Sequence, residues 1–350
     1  MLPPSLLHEV QDELLDWNGM RRSILEIGHR TAEFQALSHQ AMLDVRELLV
    51  IPDNYHLLFL GVPARAQFAM IPMNLLFVGQ RGGYLLSGHW SKMAYEEACK
   101  VASASCVASA FTNSDCVRTP DVDELQLSAD LAYLYYTPNE TLRGVRYHTL
   151  PTVPDNLPLV ADMSSCILSE QISVKDFGMI FASTAKNLGA AGMTLVIIRD
   201  DLLAQITAAN LPSALDYRVW AQHNSLYATP PMFTYYMVAK MLQWVKAEGG
   251  VAVLQQRNME KAQLLYDYID SSTFYTALVA EPYRSLMNVC FSIVDRAQEP
   301  QFLAQAEQHG LYALRGHSVV GGLRASLYNS MPISGVQALI AFMEKFAAHA

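Results

Sequence analysis

Six short apolar runs punctuate the first two hundred residues and constrain the fold more than any other feature. They are HLLFLG (56–61), YLLSG (84–88), ADLAYLYY (129–136), LPLVADMS (157–164), FGMIFAST (177–184) and MTLVIIRD (193–200). Each is short and almost unbroken in hydrophobicity, the pattern of a strand covered on both faces. Helical stretches lie between them, the first being ARAQFAMIPMNLLF. Strands alternating with helices predict an α/β fold whose large sheet is mostly parallel and flanked by helices.

PPMFTYYMVAKMLQWVKAEGG opens on prolines and stops at paired glycines, which predicts a long helix leading out of that unit. From residue 251 the pattern changes to a compact α+β unit. It has helices in QQRNMEKAQLLYDYID and PQFLAQAEQHG, strands in MNVCFSIV and GLRASLY, and a final helix from GVQALIAF. The expected domains are 1–250 and 251–350, with the first fifteen or so residues packed on the smaller one. A chain of 350 residues, 51% hydrophobic, is long enough for one large core and a second smaller one.

Several function classes are disfavoured. The formal net charge of -9 argues against nucleic-acid binding, so any anionic substrate must be drawn by a local basic cluster. No apolar run has the roughly 18 to 20 residues that a membrane helix needs, and MLPPSLLHEVQDELLDW is acidic where a secretory signal is basic. A cytoplasmic location is expected. Cys99, Cys106, Cys116, Cys166 and Cys290 show no CxxC spacing, and the ten histidines contain no HExxH, so free thiols and no metal are expected. VGQRGGY lacks the spacing of a dinucleotide fingerprint.

Lys186 lies in the turn between FGMIFAST and MTLVIIRD, and Asp162 ends LPLVADMS, 24 positions earlier. In open α/β sheets ligands bind beyond the carboxyl ends of the strands, where both residues fall. An amine and a carboxylate so placed suit pyridoxal 5'-phosphate: the amine forms a Schiff base with the cofactor aldehyde, and the carboxylate keeps the pyridine nitrogen protonated.

The words around these residues carry a resemblance. MLPPSLLHEVQDELLDWNGM, GHRTAEF, RAQF, GHW, YTPNET, VADMSS, AKNLGAAGMTLVIIRDDLL, TPPMF and RGHSVVGGLRASLYNSMP follow one another from residue 1 to the last helix. In that order they resemble the phosphoserine aminotransferases, class V members of the fold type I pyridoxal phosphate enzymes.

The resemblance implies a seven-stranded large-domain sheet, a homodimer, and transfer of an amino group from L-glutamate to 3-phosphohydroxypyruvate in serine biosynthesis. A further reading adds 4-phosphohydroxythreonine, of pyridoxine biosynthesis. It also implies roles by residue. Lys186 and Asp162 are catalytic, Trp90 stacks on the cofactor ring, Thr141 lies near its phenolic oxygen, and Ala64 and Arg65 cradle its phosphate with Thr229 of the partner subunit. Arg324 clamps the substrate α-carboxylate, while His29, Arg30, Arg65 and His317 meet the distal anion.

The chain departs from the family pattern at four places. Pro63 stands in the usually glycine-rich phosphate loop, Ala185 replaces a glutamine, Ala228 an asparagine, and Ser318 an arginine in GHRVVGG. A looser grip on the cofactor is therefore expected. Two alternatives stay open: a paralogue acting on another oxo acid, and a fold relative that has lost turnover and keeps a binding role.

Overall fold

The computed structural model describes residues 2–111, 118–123, 125–208, 210–318 and 320–349, so Cys116 lies outside the described residues. The first strands are β1 (Tyr55–Leu60), β2 (Arg81–Leu86), β3 (Ala104–Ser109) and β4 (Leu131–Tyr136). A hairpin of β5 (Asn139–Glu140) and β6 (Val145–Arg146) follows, then β7 (Leu159–Asp162), β8 (Met179–Ser183) and β9 (Thr194–Arg199). All but the hairpin form a seven-stranded sheet in the order β1-β9-β8-β7-β4-β2-β3.

β9 is antiparallel to both of its neighbours, and the remaining pairs are parallel. β1 and β8 both run opposite to β9, so β1 points the same way as the parallel strands. The carboxyl ends of β1, β2, β4, β7 and β8 consequently emerge along one edge, and the loops leaving them build one site.

The helices of this part are α1 (Pro4–Glu13), α2 (Ala32–Leu49), α3 (Gln67–Leu75), α4 (His89–Val101), α5 (Asp200–Ala204), α6 (Tyr217–Gln222) and α7 (Met232–Ala247). β1 shows why the strands read as unbroken apolar runs. Leu57 and Phe59 join a core with Phe34 and Val45 of α2 and Tyr235 and Leu242 of α7, whereas Leu58 and Leu60 join another with Phe68, Ala94 and Trp220 of α3, α4 and α6. Alternate side chains meet opposite helix layers, so neither face can be polar.

Beyond α7 come α8 (Gly250–Ser271), β10 (Tyr275–Ala277), β11 (Asn288–Ile293), α9 (Glu299–Gln308), β12 (Leu323–Ser326) and α10 (Ile333–His349). β10, β11 and β12 make an antiparallel sheet that shares a separate core with α8, α9 and α10. The sequence patterns predict each of these elements except β10, three residues long, just as they miss β3. ASCVAS of β3 lies at the sheet edge, partly exposed along its length, and an edge strand needs no two-sided apolar run.

The start of the chain requires a correction. α1 rests on α7 and not on the C-terminal unit: Leu6 and Val10 enter the core that α2 and α7 share. Tyr236 donates to Glu13 (2.6 Å), and the Lys240 amine meets Glu9 and Glu13 at 2.5 and 2.9 Å. α7 supplies both the apolar flank and the cation that an acidic amphipathic segment can pair with.

The hairpin of β5 and β6 ties the two units together. Asn139 donates to Ser165 (2.8 Å) and to Asn288 of β11 (3.0 Å), and accepts from Ser285 at 2.5 Å. Gly144, in the turn, has φ +70, and a Cβ there would overlap the Asn288 carbonyl oxygen. Gly144→Ala is expected to cost about 2 to 4 kcal/mol through left-handed strain and this collision. Chemical unfolding checks it; an unchanged midpoint would refute the close approach.

Candidate active site

The loops leaving the five co-directed strands enclose a cavity of about 250 Å3. Asp162, last residue of β7, is buried there, and its Oδ1 accepts from the Ser164 amide at 2.9 Å. After β8 the chain folds a tight turn. Thr184 Oγ1 donates to the carbonyls of Ala190 (2.8 Å) and Met193 (3.1 Å), so the turn is closed by its own first residues.

Asn187 anchors that turn from below, donating to the Ile167 carbonyl and accepting from the Asn329 amide, both at 3.0 Å. Lys186 between these anchors adopts φ +61. For a residue with a Cβ this backbone costs on the order of 1 to 3 kcal/mol, and such strain gathers at functional sites. Its outcome is positional: the side chain enters the cavity, and Nζ donates to Thr141 Oγ1 at 3.1 Å.

Amine and carboxylate perturb one another less than burial perturbs both. Burial pushes the Asp162 carboxyl above its ordinary value, against the Ser164 bonds and the attraction of Lys186. Burial likewise lowers the Lys186 ammonium, opposed by Asp162 and aided by Arg324. Each group is drawn toward its neutral form, the response of ionisable side chains with little water around them.

Trp90 is placed by a residue that the sequence reading passes over. Glu140, buried in β5, accepts from the amides of Trp90 (3.1 Å) and Ser91 (2.9 Å) and from Ser91 Oγ (2.7 Å). A carboxylate at the start of α4 satisfies amides that no helical carbonyl can reach, and it meets the favourable end of the helix dipole. The approach is so close that a Cβ on Gly88 would collide with the Glu140 carboxyl. Burial still outweighs these bonds and raises the Glu140 pKa.

Pro63, Ala64 and Arg65 form another wall just ahead of α3, whose N-terminus suits an anion. Arg324, on β12, has Nε and Nη1 buried with no hydrogen-bond partner. Buried polar groups are nearly always paired, so a guanidinium left this way fits an anion that belongs beside it. The indole Nε1 of Trp90 is likewise buried without a partner. Pyridoxal phosphate fits this donor set: an inward amine, a buried carboxylate facing the same space, an indole on the wall and a helix N-terminus.

Six residues picked out from the sequence therefore line one cavity: Ala64, Arg65, Trp90, Thr141, Asp162 and Lys186. His317 is not among the lining residues, and its ring lies 5.5 Å from that of His89, next to Trp90. His29 and Arg30, in the turn before α2, and Thr229, exposed ahead of α7, are not among the residues lining this cavity. His89 and Glu140 were missed although both lie inside quoted words, GHW and YTPNET. Their contacts join separate segments, Glu140 to the start of α4 and His89 to His317, which neither word contains alone. The only signal was adjacency to Trp90 and Thr141.

Among the described residues no helix is long and apolar enough to cross a membrane, and no His, Cys, Asp and Glu cluster could hold a metal ion. Cys99 and Cys106 are exposed, Cys166 and Cys290 buried, and all four are free.

Comparison with known proteins agrees with the geometry. A phosphoserine aminotransferase of Legionella pneumophila subsp. pneumophila (strain Philadelphia 1) is 50% identical over 347 residues, 99% of this chain and 95% of the relative. One from Shewanella sediminis is 44% identical over 350 residues, with 99% and 95% covered. The solved phosphoserine aminotransferase of Bacillus circulans subsp. alkalophilus superposes with a TM-score of 0.95 at 40% identity, covering 99% of this chain and 95% of that one. A pyridoxal phosphate-bound phosphoserine aminotransferase from Trichomonas vaginalis gives 0.93 at 35% identity, with 98% and 97% covered. The model of the class-V aminotransferases matches residues 1–339, and with these relatives and this site the chain belongs to that family.

Proposed function

We propose that the chain is a pyridoxal phosphate-dependent phosphoserine aminotransferase. It converts 3-phosphohydroxypyruvate and L-glutamate to O-phospho-L-serine and 2-oxoglutarate, in serine biosynthesis. The observation that carries this reading is the meeting of the Lys186 amine and the Asp162 carboxylate in one cavity, with the buried, unpartnered Arg324 guanidinium near enough to act on Lys186.

When bound, the cofactor supplies an electron sink for the bond being broken at the substrate Cα. The chain's own groups do the rest. Asp162 would hold the pyridine nitrogen of the bound cofactor protonated, and its pKa, raised by burial, would fall with a cation beside it. Lys186, lowered by burial, is readily neutral and carries the proton away from Cα and back. Trp90 would cover the ring and exclude water, Thr141 holds the lysine amine, and Ala64 with Arg65 would offer amides to the phosphate. Arg324 binds the α-carboxylate as a fork.

A homodimer accounts for the residues that do not line this cavity, with Thr229 of one copy, together with His29 and Arg30, serving the site of the other. A two-domain division at residue 250, a cytoplasmic location and action on 4-phosphohydroxythreonine for pyridoxine biosynthesis belong to the same reading.

Addition of glutamate to the cofactor-loaded protein is expected to convert its visible absorbance to that of the pyridoxamine form. 3-Phosphohydroxypyruvate, but not unphosphorylated oxo acids, should then restore it. No response to glutamate would remove the transaminase reading, and equal restoration by an unphosphorylated acid would favour the paralogue.

A further inference from the structure

Resting on that reading, we propose that His89 is a specificity-determining residue. With His317 and Arg65 it binds the phosphate of the oxo acid, and it makes that binding depend on pH. His89 opens α4 and is held in place with Trp90 by the Glu140 clamp. Its ring lies 5.2 Å from the Trp90 indole, edge to face, and 5.5 Å from the His317 ring. The Arg65 guanidinium carbon lies 5.4 Å from the Trp90 ring centre. His89 and Arg65 thus flank the indole of Trp90, a wall of the cavity that holds Lys186, and His317 lies against His89 from a third segment.

In a chain of net charge -9, basic side chains gathered at one place mark a local site for an anion. The other charged groups acting on His89 are Glu96 and Lys92 of its own helix, 3.7 Å apart and paired with each other. The near groups are the basic side chains His317 and Arg65, a cluster that suits an anion. Ser318, next to His317, is exposed and carries no charge, which leaves this end of the site to His89, His317 and Arg65.

Burial first, then His317 and Arg65, hold the His89 ring below the ordinary histidine value of 6.5. A phosphate monoester, mostly dianionic above about pH 6, favours the protonated ring and raises that pKa in the complex. The contribution of His89 to binding is therefore fully present below the pKa of the free ring. That contribution fades as pH rises from there to the pKa of the bound ring, and is level above it.

The test uses the cofactor-loaded protein and two readouts. In the first, inorganic phosphate is titrated while the histidine ring protons are followed by NMR, with His89 assigned by His89→Asn. Phosphate is expected to raise the His89 pKa, and His89→Asn to bind phosphate about five- to tenfold more weakly. In the second, KM for 3-phosphohydroxypyruvate should rise by the same factor in His89→Asn, with kcat nearly unchanged, and the KM dependence on pH should flatten. His89→Arg should keep a low KM while also losing the pH dependence.

A His89→Asn variant that binds phosphate as tightly as the parent at every pH would overturn the inference. A role limited to stacking on Trp90 predicts that result. The absence of a phosphate-induced shift of His89 in the parent protein overturns it too, and needs no variant to fold. Were glutamate to leave the absorbance unchanged, the transaminase reading would fall, while a phosphate-induced shift of His89 would still support the anion site.

Discussion

Lys186→Ala is expected to lower kcat by on the order of 10³-fold or more, because it removes both the covalent anchor and the proton carrier. Borohydride treatment of the cofactor-loaded parent should fix the cofactor to the chain, and in the variant it should not. Persistence of a reducible adduct would mean that another lysine serves. The fold should survive the change. A lysine whose folded pKa lies below its unfolded value opposes folding at neutral pH, and that opposition fades as pH rises toward the ordinary 10.5. The cofactor-free variant is therefore expected to melt no lower than the parent at pH 7, with the difference shrinking at higher pH. Thermal scans at two pH values measure this.

Asp162→Asn separates chemistry from stability more sharply. Asparagine keeps the acceptor that Oδ1 presents to the Ser164 amide and fits the same space, yet it cannot hold a proton on a pyridine nitrogen. Activity should fall on the order of 10²- to 10³-fold, the usual cost of losing one preorganised charge at a reacting centre. Stability should move the other way. Burial raises the Asp162 pKa, so its ionisation disfavours the folded state as pH rises from the ordinary 3.8 to the raised value. At neutral pH the cofactor-free variant is expected to be as stable as the parent or slightly more so. A marked loss of stability with activity retained would show that Asp162 is a structural residue and would undo its assigned role.

Much of the fold was legible because the strands are buried on two sides. β1, β4, β7, β8 and β9 announce themselves as apolar runs, since both helix layers demand apolar partners from them. β3 and β10 did not, the first because an edge strand of small residues carries no such demand, the second because three residues make no pattern. The N-terminal helix was misplaced for a related reason: its amphipathic face specifies that it packs, while only Lys240 and Tyr236 of α7 specify where.

The site divides along the same line. Lys186 and Asp162 were readable because strand ends and the turns after them are local events, and the order of quoted words supplied Trp90, Thr141, Ala64 and Arg65. Glu140 and His89 were not readable, because each acts on a segment some fifty residues or more away, where no periodicity reaches. By itself, then, the sequence determined the α/β class, the strand ends and the chemical types at them, all set by short-range periodicity and residue identity. Only the tertiary structure decided that Glu140 holds α4, that the Arg324 guanidinium has buried nitrogens without a partner, and that His89 lies against both His317 and Trp90. Those are distances between separate segments, and the packing of the whole sheet and its helices sets them.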